Sequence, residues 1–432
     1  MKVLWLCNII LPIIAKERGE KIEPYGGWLS GLLDSLAERS DVIVCFPYLF
    51  PSGNTENMIR GKAGAVDYIG FRESDGNTAL FFDILRACQP DLIHIWGTEY
   101  RHTLDMVNAA EQANMLDRTV INIQGLVSII GKYHYHCALP EAVCKSVSLA
   151  EIVRKNSIEH GKLSFEARGE YEIAALKKVH HVIGRTDWDE ACTKQINPKL
   201  HYHFCNESLR SSFYEHQWDP VACERHSIFL SQSNYPLKGF HLMLEAMPLI
   251  LARFPDAQIY TTGEKPKEPG VLENLHIKGH AYPMYIRSLI KKYGLEDHVS
   301  FVGLLNEEAM CERFLRSHVF VSPSSIENSS NSICEAMLLG MPVVSSDVGG
   351  IKNLLEHGRD GYIYQWDAPY MLAWYVCKVF EDQDRAVEMG QRARARALVT
   401  HDRRRNLQDM LNIYEEICAD TKQSEKHPDK RK

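Results

Sequence analysis

The sequence predicts an α/β protein made of two domains, each a parallel β-sheet covered by helices on both faces. Short, continuous apolar runs alternate along the chain with segments of helical periodicity, which is typical of strands buried on both faces. This alternation breaks at residues 206–224 and then begins again. The length of 432 residues also exceeds one typical hydrophobic core. We therefore expect two Rossmann-like domains that face each other across a cleft.

The apolar runs give the expected strands. In the first half they lie near residues 2–7, 41–46, 66–70, 91–96, 119–124, 179–184 and 201–205. In the second half they lie near residues 226–231, 257–262, 299–303, 319–322, 342–346 and 361–365. Because ligands of such folds bind at the carboxyl ends of the strands, polar residues that directly follow a strand are candidate site residues.

Charge and cysteine content indicate which partners and which cellular compartment to expect. A net charge of -7 argues against nucleic acid as a partner. The 12 cysteines are scattered without a C-x-x-C pair, which favours a reducing compartment over a disulfide framework or a zinc site. The apolar start after Lys2 resembles a signal peptide, but Asn8 and Pro12 interrupt it, so a buried first strand is favoured. We expect a cytoplasmic protein.

The most informative stretch is Val319–Gly350, which has the pattern strand, polar loop, helix, strand. Its helix is expected to end at Gly340, with Pro342 behind it. Short polar side chains open the helix: Ser329, Ser330, Asn331 and Ser332. A helix N-terminus with free N–H groups suits a phosphate or a diphosphate. The same residues are also ordinary helix caps, so this pattern alone leaves both interpretations open.

Two carboxylates frame this helix start, and they carry a family resemblance. Glu327 is followed by seven residues, then Glu335-Ala336-Met337, and then Gly340-Met341-Pro342-Val343-Val344. This run resembles the signature of the retaining GT-B glycosyltransferases of the family 4 type, the group 1 glycosyl transferases. The resemblance implies the GT-B fold and transfer of a sugar, with retention, from a nucleotide diphosphate sugar to a hydroxyl acceptor. It implies no required cofactor and no metal.

The resemblance also implies roles for individual residues. Glu335 is expected to bind the donor ribose, Glu327 the hydroxyls of the transferred sugar, and Lys238 the diphosphate leaving group. Further nucleotide-sugar contacts are expected from Ser329, Ser330, Asn331, Ser332, Gly26, Gly27 and Gln232. The polar loop up to Gly279 is a candidate lining of the base pocket.

The chain departs from the family pattern at two positions. Ser231-Gln232 stand where Gly-Arg is usual, so the phosphate site lacks its arginine. Gln124, expected at a catalytic position, stands where many relatives have a histidine that contacts the transferred sugar. Glutamine can donate a hydrogen bond there but cannot carry a proton at neutral pH. These departures keep a catalytically inactive nucleotide-sugar-binding relative open as an alternative.

Other candidates follow the strands of the first half. Trp96 and Glu99 are expected at a strand end on the acceptor side. His134-x-His136 lacks a nearby third metal ligand, and Asp187-Trp188-Asp189 is interpreted as a helix cap, so no metal site is predicted. The basic stretch 391–405 leaves peripheral membrane contact open.

The domain prediction completes the hypothesis. Residues 1–210 form an acceptor-side domain, 211–403 a nucleotide-sugar-binding domain, 404–418 a helix that crosses back, and 419–432 a disordered tail. The expected acceptor is a saccharide, a lipid-linked or a small-molecule hydroxyl, in polysaccharide or glycoconjugate biosynthesis. The expected location is the cytoplasm, with the inner face of the membrane as an option. A sugar-nucleotide epimerase of the same architecture is a further alternative.

Overall fold

The computed structural model describes residues 1–21, 27–74, 76–267, 270 and 279–426, with the side chains of residues 27, 28 and 422–426 left aside. The first half contains eight strands: β1 Lys2–Leu6, β2 Asp41–Pro47, β3 Met58–Ala63, β4 Val66–Phe71, β5 Leu92–Trp96, β6 Thr119–Asn122, β7 His181–Gly184 and β8 His201–Phe204. The second half contains six: β9 Glu224–Leu230, β10 Gln258–Thr261, β11 Val299–Phe301, β12 Ser317–Ser322, β13 Val343–Ser346 and β14 Tyr362–Tyr364.

Helices alternate with these strands. The α-helices up to β8 are Pro12–Glu17, Gly27–Ala37, Thr78–Cys88, Arg101–Gln112, Val127–Ile129, Glu141–Cys144, Leu149–Arg154, Ile158–Lys178 and Asp187–Ile196. Those that follow are Ser212–Glu215, Phe240–Leu251, Ala281–Lys292, Glu307–Leu315, Asn331–Leu339, Ile351–Leu354, Pro369–Glu381, Gln383–Thr400 and Arg403–Lys426. Leu116–Arg118 and Pro236–Lys238 are 3₁₀ turns, and Ile130–His134 is a π-helical turn. The helix Asn331–Leu339 is called the signature helix below.

The strands form two sheets. The first has the order β3-β4-β2-β1-β5-β6-β7-β8, and the second has the order β11-β10-β9-β12-β13-β14. Every pairing is parallel except that of β3 with β4. The structure therefore confirms the predicted class, a mixed α/β protein with two parallel-sheet domains.

One strand, β3, was absent from the sequence prediction. It pairs antiparallel with β4 at the edge of the first sheet, and its exposed positions include Arg60 and Lys62. Charged residues on an edge strand discourage pairing with another chain. Because the strand is half-exposed and charged, it lacks the continuous apolar run that identified the buried strands.

The chain divides into two compact units. The first comprises Met1–Ser128, Ala167–Leu209 and His401–Lys432, and the second comprises Ile129–Glu166 and Arg210–Thr400. Each has its own core, with Trp5, Phe46 and Tyr414 among the buried residues of the first. Phe240, Met243 and Phe380 are among those of the second.

Two segments differ from the predicted domain limits. The excursion Ile129–Glu166 was assigned to the first domain but belongs to the second unit, because Leu139, Cys144 and Ile158 are buried in that unit's core. The tail was predicted to be disordered from residue 419, but its helix continues to Lys426. Thr421 is buried, and its hydroxyl donates a hydrogen bond to the Asp117 carbonyl. Within the described residues, no helix combines the length and the apolar character that crossing a membrane requires.

Gly390 and Gly31 provide a matched test of how closely the signature helix is packed. Both glycines lie inside helices, where alanine is normally favoured by about 1 kcal/mol. A Cβ on Gly390 would lie 2.0 Å from the carbonyl oxygen of Gly340, whereas a Cβ on Gly31 would meet nothing within 4 Å. We expect Gly31→Ala to raise the unfolding midpoint in urea and Gly390→Ala to lower it. A rise of the midpoint in both variants would contradict this packing.

Candidate functional site

The signature helix begins without a side-chain cap. Ser330 is its N-cap residue, yet the Ser330 side chain makes no capping hydrogen bond. The helix ends at Gly340, whose φ of 77° is the left-handed conformation that favours glycine. By contrast, Thr186 and Asp189 form a complete capping box at the helix Asp187–Ile196. The start of the signature helix is thus left open to an external acceptor of its N–H groups.

Two polar atoms at the same helix start are buried and have no hydrogen-bond partner among the described residues. They are the Ser329 hydroxyl oxygen and the Asn331 Oδ1 atom. Leaving a buried polar group unpaired typically costs about 1–3 kcal/mol. Such atoms in a folded protein call for an explanation, and a bound ligand is one that would satisfy them.

A lysine and a glutamate lie in the loops beside this helix start. The Lys238 ammonium donates to Oε1 of Glu327 at 2.6 Å, and the Ser324 hydroxyl donates to the same oxygen at 2.7 Å. Burial alone would lower the pKa of Lys238. The negative charge of Glu327 raises this pKa by more than burial lowers it, so the net shift is upward. Lys238 therefore stays positively charged at neutral pH.

Two glycines fix the loop that carries Glu327. Gly239 has a φ of 68°, and a Cβ there would lie 1.9 Å from the Pro323 carbonyl oxygen. Gly349 has a φ of 49°, and a Cβ there would lie 2.0 Å from the Glu327 carbonyl oxygen. Only a residue without a side chain permits these approaches. The spacing between Lys238 and Glu327 is thus set by backbone packing.

Glu335 lies in the signature helix and is buried against an arginine. Arg210 donates to both of its carboxylate oxygens, each at 2.7 Å. Burial alone would lower the pKa of Arg210, but Glu335 raises it by more, so the arginine stays charged, whereas burial raises the pKa of Glu335 despite this partner. Arg210 was missed in the sequence because it lies in the segment interpreted as a linker. Each carboxylate oxygen retains a further lone pair for another donor.

A cavity of about 520 Å³ lies in the second unit at the ends of β9 and β10. It includes Ser233 and Asn234 after β9, Glu264 and Lys265 after β10, and Phe301 of β11. Gly279, the end of the predicted polar loop, also lines it, while residues 268–269 and 271–278 lie outside the described residues. Gln232 is partly buried next to these residues in sequence.

The first unit contains the other predicted residues. Gly27 begins the helix Gly27–Ala37, and Gly26 lies outside the described residues. The Gln124 amide donates to Oδ1 of Asn122 at 2.6 Å and to Oε1 of Glu207 at 2.8 Å. Glu207 is in turn buried against Arg185. The Gln124 side chain is therefore held by a buried polar network at the end of β6.

The two acceptor-side candidates have different surroundings. Trp96 is 2% exposed and packs edge-on against Trp5, with ring centroids 5.0 Å apart. The expectation that it faces an acceptor is wrong, because its apolar ring completes the core of the first unit. Glu99 is partly exposed and accepts a hydrogen bond from Asn8 at 3.1 Å. Burial raises the pKa of Glu99 to about 7.

Comparison with known proteins shows which sequences and which folds this chain resembles. The sequence model of the family described as glycosyl transferases group 1 matches residues 224–396. N-acetyl-alpha-D-glucosaminyl L-malate synthase of Bacillus anthracis is 21% identical over 338 residues, which cover 74% of this chain and 81% of that protein. The matches to the first curated relatives cover less than half of those proteins, between 36% and 46% of their length.

Solved structures are similar over nearly the whole chain. Sucrose-phosphate synthase from Thermosynechococcus elongatus has a TM-score of 0.69 and 17% identity, covering 97% of this chain and 99% of that one. HepE from Anabaena, solved in complex with UDP-glucose, has a TM-score of 0.65 and 16% identity, covering 96% and 100%. These likenesses show the fold. Residues 224–396 therefore match the group 1 glycosyl transferases, and the fold overall is that of the GT-B glycosyltransferases.

Proposed function

We propose that this protein transfers a sugar, with retention of anomeric configuration, from a nucleotide diphosphate sugar to a hydroxyl acceptor. The observation that carries the proposal is the Lys238–Glu327 ion pair beside an uncapped helix start with two unpartnered polar atoms. The HepE structure with UDP-glucose supports the donor class. In this proposal the second unit binds the donor and the first unit supplies the acceptor side.

The diphosphate binds at the start of the signature helix. Its oxygens accept hydrogen bonds from the first N–H groups of the helix and from the Ser329 hydroxyl, with Ser330, Asn331 and Ser332 around them. The Asn331 amide can rotate to present its NH₂ group instead of Oδ1. Lys238 stabilises the negative charge that develops as the diphosphate leaves. With these groups in place, the step requires no metal ion, and Gly27 and Gln232 stay predicted contacts of the nucleotide sugar.

The transferred sugar lies next to Glu327. One carboxylate oxygen is bound to Lys238 and Ser324, which leaves the other to accept from sugar hydroxyls. In the reaction the bond from the anomeric carbon to the phosphate oxygen breaks, and the acceptor oxygen bonds to that carbon from the same face. The leaving phosphate takes the acceptor's proton. Glu327 stabilises the positive character at the anomeric carbon, and Gln124 stays a predicted hydrogen-bond donor to the transferred sugar.

The nucleoside is bound by the other end of the second unit's site. Glu335 accepts hydrogen bonds from the ribose hydroxyls while Arg210 holds its carboxylate in one orientation. The cavity lined by Ser233, Asn234 and Phe301 accommodates the base, and Lys265 brings a positive charge near the position of the missing arginine. The acceptor is a saccharide, a lipid-linked or a small-molecule hydroxyl in polysaccharide or glycoconjugate synthesis in the cytoplasm.

Removing either member of the Lys238–Glu327 pair tests the catalytic assignment. We expect Lys238→Ala and Glu327→Ala each to lower the rate of nucleotide release from the preferred UDP-, GDP- or ADP-sugar by roughly 10²–10³-fold, because each loses stabilisation of transition-state charge. The rate is measured with a panel of hydroxyl acceptors. Lys291→Ala, an exposed lysine in the last turn of the helix Ala281–Lys292, is the control and should match the wild type.

Analysis of the products in the same assay distinguishes sugar transfer from epimerisation and from binding without turnover. Transfer gives nucleoside diphosphate and a glycosylated acceptor, whereas an epimerase would change the sugar on the nucleotide. Unchanged transfer in both alanine variants would contradict the site assignment, provided that circular dichroism shows all variants folded. Absence of any nucleotide-sugar conversion would favour a binding relative without turnover.

Ser329→Ala distinguishes a ligand site from an ordinary helix start. The variant removes a buried hydroxyl that has no partner in the free protein, so its thermal midpoint should stay the same or rise. The same change should weaken nucleoside diphosphate binding, by about tenfold for one lost hydrogen bond to a charged group. Calorimetric titration with UDP measures the affinity. A lower midpoint with unchanged affinity would show that Ser329 serves only the helix.

If Glu99 binds the acceptor, the acceptor KM should depend on pH. A carboxylate accepts hydrogen bonds from a sugar hydroxyl better than a protonated carboxyl does, and the Glu99 pKa is raised to about 7. The acceptor KM should therefore fall as pH rises through about 7, while the affinity for the donor stays constant. Glu99→Gln should remove this dependence. A pH-dependent acceptor KM that persists in Glu99→Gln would exclude this role.

A further inference from the structure

Three histidines gather at the β8 edge of the first sheet, away from every residue assigned a role above. His181 lies in β7, and His201 and His203 lie in β8. His181 is paired in register with His201, and residues two apart in a strand share a face. All three imidazoles therefore project from the same face of the sheet.

The rings lie close enough to share one ion. Nδ1 of His181 is 3.1 Å from Nε2 of His203, and the rings of His201 and His203 are stacked with centroids 4.3 Å apart. One nitrogen from each histidine falls within 4.8 Å of the others. Nitrogen ligands about 2.0–2.1 Å from a tetrahedral zinc ion lie roughly 3.4 Å from one another. Small side-chain rotations would bring the three nitrogens to that spacing.

The burial of the three side chains decides from which side an ion can reach them. His181 and His203 are 7% and 6% exposed, whereas His201 is exposed. The ion would thus be reached from solvent past His201.

The helix Arg403–Lys426 brings a carboxylate to the same place. Oε1 of Glu416 lies 3.6 Å from Nε2 of His201, and Oε2 of Glu416 lies 3.9 Å from Nδ1 of His203. Other charged or titratable groups near the cluster are His180, Asp117 and Asp420. Asp420 also forms a possible ligand group with His201 and Glu416. The local charge is therefore negative, which favours a cation.

We propose that His181, His201, His203 and Glu416 form a binding site for a divalent transition-metal ion of the Zn²⁺ type. Three imidazoles within 4.8 Å supply the nitrogen ligands that such ions prefer, unlike Mg²⁺ or Ca²⁺. Glu416 lies beside Nδ1 of His203 while His181 faces its Nε2, so the carboxylate becomes the fourth ligand once the His203 ring or the Glu416 side chain turns. The ligands come from two strands and one helix. The ion therefore fastens the edge of the first sheet to the helix Arg403–Lys426 and stabilises the first unit.

The site escaped the sequence analysis because its ligands come from three separate segments. His201-x-His203 is too short a pattern to indicate a metal, and His181 and Glu416 become neighbours only through folding. The sequence analysis considered a different histidine pair, His134-x-His136, which is not part of this cluster. In the structure His136 groups with Cys144 and Glu159 in the second unit.

The test uses the full chain, freed of metal with a chelator and titrated with Zn²⁺ in a calorimeter. We expect one tight site per chain and a rise in the thermal midpoint on adding Zn²⁺, because an ion that binds only the folded state stabilises it. The variants His201→Gln, His203→Gln and Glu416→Gln should each weaken binding by more than about tenfold, since each removes one ligand. Co²⁺ in place of Zn²⁺ should give the visible absorption of a tetrahedral complex.

Two matched controls locate the site. His180→Gln alters the adjacent histidine, which contacts Asp117, and His136→Gln alters the group in the second unit; both should leave the affinity unchanged. His201 is exposed, so its variant tests binding even if changing buried His203 impairs folding. The proposal is overturned if the wild type binds no ion, if His201→Gln and Glu416→Gln bind as the wild type does, or if only His136→Gln loses binding.

Discussion

The ion pair between Lys238 and Glu327 is the interaction on which the proposed site depends. It joins the turn after β9 to the loop after β12, and its length of 2.6 Å is maintained by close backbone approaches at Gly239 and Gly349. Without side chains at these glycines, the Pro323 and Glu327 carbonyls can lie where a Cβ would otherwise be. Gly239 and Gly349 thus position the two charges of this ion pair.

The same arrangement accounts for the absent arginine of the phosphate site. A diphosphate needs donors and positive charge, and in the proposed site these come from Lys238 and an uncapped helix start with two polar atoms that lack a partner among the described residues. Arg210 does not fill the place of the absent arginine, because its guanidinium donates to both carboxylate oxygens of Glu335. Truncating one partner of such a buried pair typically costs about 3–5 kcal/mol, because the remaining charge is left unpaired. In the proposed site Arg210 therefore acts on the donor through Glu335 and does not replace the missing phosphate ligand.

The sequence predicted the buried strands well and the irregular segments less well. Continuous apolar runs identified both parallel sheets, whereas β3 escaped because an edge strand has no such run. The spacing of Glu327, Glu335 and Gly340 located the signature helix. Their partners were not predictable, since Arg210 contacts Glu335 across 125 positions of sequence. Trp96 was misplaced because strand position alone does not tell whether a side chain at the end of a strand faces solvent or the core.

The central claim is that the start of the signature helix, with Lys238, binds the diphosphate of the donor. A crystal structure of the protein with UDP tests this most directly. The account predicts phosphate oxygens within hydrogen-bonding distance of the Lys238 ammonium and the Ser329 hydroxyl, and ribose hydroxyls on Glu335. UDP bound with its phosphates away from the signature helix, or Ser329 and Asn331 still without partners in the complex, would contradict it.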